Sequence, residues 1–208
     1  MPRNIKPEDA IRKKTEVEEA ESTASFKSGI TGNRPEERSG PGNVFLAGLP
    51  GSGKLELAEA AAEKMGLKYY DLAGPMSEGG LEAVENMVRE IADGTVGVFA
   101  ALPAKALTSE KVRQDVARSG ALIYLMADMP LILTRFADEP ERARREGAES
   151  EDDLRAQFAE VEPTALGFAS AILRAETEPE ELVNDLVDKL QVMGGKLSYD
   201  VNIKEVNW

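Results

Sequence analysis

Gly48-Leu49-Pro50-Gly51-Ser52-Gly53-Lys54 holds the residues of this chain best suited to chemistry. Glycines at 48, 51 and 53 let a loop turn sharply and aim successive N–H groups at one centre, a nest for an anion. The lysine adds a positive charge that reaches the terminal phosphates of a polyphosphate. Gly48, Gly51, Ser52, Gly53 and Lys54 are therefore read as a phosphate cradle. Position 55 departs from the pattern, which wants Ser or Thr because that hydroxyl ligates the magnesium bridging the nucleotide phosphates. With Leu55 in the cradle, the phosphate half of the site is kept and the metal half is weakened.

Such a loop works only between a strand and a helix. Residues 44–47 are a short apolar run of β-formers, and residues 55–65 are rich in alanine and glutamate and closed by Gly66. The helix opening near Gly53 turns its positive end toward the bound anion. Further strands are expected at 67–72, 95–100, 121–126 and 169–174, the one at 95–100 ended by Pro103. Gly74-Pro75 breaks the chain after the second strand. Helices are expected at 81–92, 108–119, 130–136, 154–168 and 179–192. The charged stretch 137–153 receives no further element. Strands alternating with helices give an α/β fold, a three-layer α/β/α sandwich around a parallel five-stranded sheet. The tail 196–204 alternates apolar and polar residues and reads as an extra edge strand, of this sheet or added to another chain.

The chain has no Cys and no His, which excludes thiol chemistry, disulfides and histidine acid-base catalysis. Its net charge of −13 lies entirely beyond residue 40 and repels nucleic acid and anionic membrane. No stretch reaches the length of a membrane span and the amino terminus lacks an apolar signal core, so a cytoplasmic protein is expected. Residues 1–42 read as a flexible charged arm, 43–193 as the folded domain and 194–208 as an extension. Both terminal segments are candidate surfaces for a protein partner or self-association.

The layout of residues 43–191 resembles shikimate kinase, a nucleoside-monophosphate-kinase-like P-loop fold that phosphorylates a shikimate hydroxyl with ATP. Tyr69-Tyr70-Asp71 stands where the family has F-x-D-x-D, and Tyr124-Leu125 leads to a helix carrying Arg135. Arg142, Arg144 and Arg145 fall where the family's lid carries a phosphate-contacting arginine, and Glu178-Pro179 matches the turn before the last helix. The resemblance implies ATP or ADP as ligand, Arg135 and Pro179 at the adenine, and Arg142 on the transferred phosphate. It also implies that Asp71 anchors magnesium weakly or through water. Lys54, Asp71 and Arg142 are thus the catalytic candidates.

On the acceptor side the family pattern fails. The second aspartate of F-x-D-x-D is Ala73, and the F-R-x-x-E motif reads Leu81-Glu82-Ala83-Val84-Glu85. The triple glycine is Ala101-Leu102-Pro103, and R-N-P-L-Y aligns with Val161-Glu162-Pro163-Thr164-Ala165. Binding a small carboxylate needs a converging cation, preferably a bidentate arginine, and the sequence from Leu55 to Met87 contains no arginine. The leading expectation is a nucleotide-binding pseudoenzyme that senses or scaffolds. An active small-molecule kinase with a changed acceptor comes second, and a structural subunit third.

Overall fold

A computed structural model describes residues 42–94 and 97–194. The arm up to residue 41 and the chain from residue 195 lie outside the described residues, and with them the expected tail strand. Five strands, β1 (Asn43–Gly48), β2 (Lys68–Asp71), β3 (Val98–Pro103), β4 (Gly120–Met126) and β5 (Ala171–Arg174), form one parallel sheet in the order β2-β3-β1-β4-β5. Seven α-helices connect or follow them: α1 (Lys54–Met65), α2 (Ala73–Gly94), α3 (Glu110–Ser119), α4 (Met129–Asp138), α5 (Pro140–Arg145), α6 (Glu151–Phe168) and α7 (Pro179–Gly194).

Every residue of β1 and β3 is buried, as a strand between two helical layers must be, which is why both read as unbroken apolar runs. The register sets Gly48 beside Pro103 on one side and Leu125 on the other, with Asp71 beside Ala101. The ends of β1 and β2 therefore open at one edge of the sheet, where parallel α/β folds place their ligands.

Several boundaries differ from the sequence expectation. Helix α2 starts at Ala73, well before residue 81, because the Asp71 carboxylate accepts the Ala73 N–H at 2.8 Å and Pro75 is tolerated in a first turn. Gly80, at φ 66° and ψ −153°, interrupts that helix, so the apolar period is clear only beyond it. Strand β3 continues through Pro103, since a missing N–H costs little where the ladder ends. A 3₁₀ turn, Ala104–Thr108, follows at once.

The charged stretch contains α5, which buries only Ala143 and so shows no period to a sequence reading. Helix α6 begins at Glu151 through a capping box: the Ser150 hydroxyl accepts the Asp153 N–H, and the Asp153 carboxylate accepts the Ser150 N–H at 2.9 Å. Ser150→Ala is expected to lower the thermal unfolding midpoint by a few degrees, read by circular dichroism. An unchanged midpoint would show that the cap contributes nothing.

Candidate active site

The turn after β1 closes with the Ser52 N–H on the Leu49 carbonyl at 3.0 Å. Gly51 and Gly53 take φ of 82° and 90°, the left-handed region in which a side chain is strained. Gly53 caps α1 with no side chain of its own, leaving the helix's first N–H groups directed into the loop. Ser52 is buried and its Oγ has no hydrogen-bond partner. A buried hydroxyl without a partner is costly, and a phosphate oxygen in the nest would satisfy it.

Lys54 is only 2% exposed. Its Nζ lies 2.5 Å from Glu146 Oε2, close but outside hydrogen-bonding alignment, and donates to the Leu49 carbonyl at 3.4 Å. Glu146 stands in the turn after α5 and is 3% exposed. Burial lifts its carboxyl above the ordinary value; the Lys54 ammonium opposes the lift and the Asp71 charge adds to it.

Arg145, next in the chain, pairs with Asp71 through Nη2 at 2.9 Å. Lys54, Glu146, Asp71 and Arg145 form one charge cluster at the ends of β1 and β2. Arg142, the expected lid cation, pairs instead with Glu56 and Glu139, and Arg144 pairs with Glu141. Among the three arginines of α5 it is thus Arg145 that reaches Asp71. Tyr69 borders the cluster, and burial, reinforced by Asp71, pushes its phenol upward so that it stays neutral.

A cavity of about 1000 Å³ opens beside the loop. Gly51, Ser52 and Gly53 line it, together with Leu131, Arg135 and Pro179. Arg135 donates from Nη1 to the Gly51 carbonyl at 2.7 Å, so it braces the loop from within the cavity wall. Pro179 lies exposed on the rim, as a residue flanking a base would. The glycine nest, the unpartnered Ser52 hydroxyl and this adjoining cavity suit a nucleotide polyphosphate.

Magnesium is a poorer match. Leu55 packs half-buried against the core and offers no oxygen, while Asp71 is engaged by Arg145 and the Ala73 N–H. Among the described residues no group of three acidic side chains is arranged to hold a metal ion. An ion bound with a nucleotide would take most of its ligands from phosphate and water.

On the acceptor side Ala73, Leu102 and Pro103 are buried and Leu81 is half-buried against the core. Lys64 and Lys68 turn elsewhere, the first to Asn184 and the second over the Tyr70 ring at 4.6 Å. The sequence reading missed Glu146. Nothing in a run of alternating charges marks it except Gly147, whose φ of 80° signals the turn that buries its neighbour.

A phosphate loop after the central strand of a β2-β3-β1-β4-β5 parallel sheet defines a P-loop protein of the nucleoside-monophosphate-kinase-like fold. No family model matches the chain. It is 27% identical over 161 residues to shikimate kinase 2 of Yersinia enterocolitica, covering 69% of this chain and 92% of that protein. The shikimate kinase of Acinetobacter baumannii, solved with shikimate, superposes with a TM-score of 0.60 at 18% identity over 77% of this chain and 97% of that one. A gluconokinase from Sinorhizobium meliloti superposes with a TM-score of 0.56 at 19% identity over the same shares, so the fold alone does not choose the acceptor. No helix among the described residues is long and apolar enough to cross a membrane.

Proposed function

We propose that the protein is an ATP-dependent kinase that phosphorylates a hydroxyl of a small molecule other than shikimate. The observation that carries this reading is the cluster of Lys54, Arg145, Asp71 and Glu146 at the mouth of the phosphate loop. A loop that only anchors phosphate needs the lysine. Phosphoryl transfer needs in addition cations for the moving charge and a carboxylate at the metal. Similarity to shikimate kinase 2 over nine-tenths of that protein's length points the same way.

In this reading the loop amides and Lys54 hold the β- and γ-phosphates, and Arg145 neutralises charge on the transferred group. Magnesium bound with ATP would withdraw charge from the phosphates, and Asp71 would hold that ion through water. The acceptor oxygen attacks the γ-phosphorus as the bond to ADP breaks, and the hydroxyl proton passes to a carboxylate or water. Shikimate is disfavoured because the positions that the resemblance assigns to its carboxylate and hydroxyls include Ala73, Leu102 and Pro103, which are buried and carry no charge.

The test is ADP release from ATP with a panel of polyols, sugars and hydroxy acids. We expect magnesium-dependent release with at least one acceptor, and a fall of roughly a hundredfold in Asp71→Asn. Should ATP bind while no acceptor raises ADP release, the transfer reading falls. A nucleotide sensor would then stand in its place, a reading that Leu55 favours because it supplies no metal ligand.

A further inference from the structure

On the donor site just proposed, we infer that Glu146 is a built-in competitor for the nucleotide's terminal phosphates. Its carboxylate takes the place on the Lys54 ammonium that a polyphosphate oxygen fills on binding, and this residue thereby sets the affinity for any ligand that reaches Lys54.

Burial makes the competition direct. Lys54 is 2% exposed, and the oxygens that the structure places near its Nζ are Glu146 Oε2 at 2.5 Å and the Leu49 carbonyl at 3.4 Å. A phosphate cannot approach that ammonium while a buried carboxylate remains against it, because two anions without water between them repel strongly. Binding must therefore move or neutralise Glu146.

The turn that carries the carboxylate is also held in place. The Glu146 and Ala148 N–H groups both donate to the Ala143 carbonyl at 3.0 Å, and Ala143 and Ala148 are buried. Gln157 of α6, 5% exposed, donates from Nε2 to the Gly147 carbonyl at 3.0 Å. Three hydrogen bonds and two buried alanines thus fix the turn that brings Glu146 to the loop lysine.

The seat is incomplete in a telling way. Glu146 provides the lysine with a counter-ion, yet the Ser52 hydroxyl a few residues away stays without a partner. A phosphate would satisfy both. Displacing Glu146 also disturbs its neighbour Arg145, which is tied to Asp71, so arrival of the donor is coupled to release of that carboxylate.

Calorimetric titration of the full chain and of Glu146→Gln with ATP, ADP and adenosine tests the inference. Glu146→Gln should bind ATP and ADP about tenfold tighter or more, while adenosine, which never reaches Lys54, changes less than about twofold. The unliganded variant should melt lower than the parent, through its unpaired buried ammonium, and should gain more from ATP. Gln157→Leu, which loosens the seat but keeps the carboxylate, should tighten ATP in the same direction and by less; it decides the matter if Glu146→Gln does not fold. Unchanged or weaker ATP binding in a folded variant, or equal tightening of adenosine, overturns the inference while leaving the nucleotide site intact. No binding of ATP or ADP by any of the three proteins overturns it together with the donor site.

Discussion

Lys54→Met is expected to lower phosphoryl transfer by roughly a hundredfold or more while leaving the affinity for adenosine near that of the parent. The thioether keeps most of the buried volume and removes only the charge, so the cavity lined by Leu131, Arg135 and Pro179 persists. The same change carries a stability signature. Removing one member of a buried ion pair typically costs about 3–5 kcal/mol, because the other charge is left uncompensated, and Glu146 at 3% exposure has little water to fall back on.

That cost has a definite pH dependence. Burial already raises the Glu146 carboxyl above its ordinary 4.5, and losing the opposing ammonium raises it further. A carboxyl with a raised folded-state value contributes its stability fully below the unfolded value and loses it as pH rises through the folded one. The variant should therefore approach the parent near pH 4.5 and fall progressively behind toward pH 8, as read by urea denaturation across that range. A gap that is constant with pH would mean that Glu146 is not the group left stranded.

The central loop is legible in the sequence because its constraints are local. Gly51 and Gly53 require positive φ, β1 is buried on both faces, and Gly66 ends α1 in the left-handed conformation, so each leaves a mark at its own position. Sheet class follows from the alternation of elements in the same way. The arginines of α5 are illegible for the opposite reason. Arg142, Arg144 and Arg145 are equivalent by type, and only the path of α5 sends Arg145 to Asp71 and the others to Glu56, Glu139 and Glu141.

Glu146 is hidden for a related reason. Burial of a charged residue depends on a partner about ninety positions away, which no window of sequence displays. The Asp71 cap that starts α2 early is likewise a side-chain to backbone contact, and a period-based reading sees only the clean apolar face after Gly80.

Under the proposed kinase reading, the cavity's charge balance bears on the form of nucleotide that would enter. Glu56, Asp128, Asp138, Glu139, Glu176 and Glu178 line it against two arginines, Arg135 and Arg142. Arg142 is already paired with two of those acids, and Arg135 is engaged by the Gly51 carbonyl. Free ATP meets repulsion here, whereas ATP with magnesium carries less negative charge. A weak metal anchor on the protein would be compatible with that arrangement, because the ion would arrive as part of the ligand.

Gly48→Ala is the second large effect, and it acts through space alone. A Cβ at this position would stand 2.6 Å from Ser52 Oγ and 2.9 Å from the Leu125 carbonyl oxygen. Ser52 can rotate away, but the Leu125 carbonyl belongs to β4, which is in register with β1 at this very residue. The loop must therefore lift off the sheet edge, and the amides of the nest lose their common centre. We expect a loss of about 1–3 kcal/mol in unfolding free energy by the ordinary measure of overpacking, and at least about a tenfold loss in ATP affinity.

Two controls separate the causes. Gly53→Ala meets only the Arg135 guanidinium at 3.5 Å and bears the strain of φ 90°, so its loss should be smaller, near 1 kcal/mol. The double variant Gly48→Ala with Ser52→Ala removes the movable clash and keeps the Leu125 contact, so it should recover little of the stability. Full recovery in the double variant would place the conflict at Ser52 and show that β4 does not fix the height of the loop.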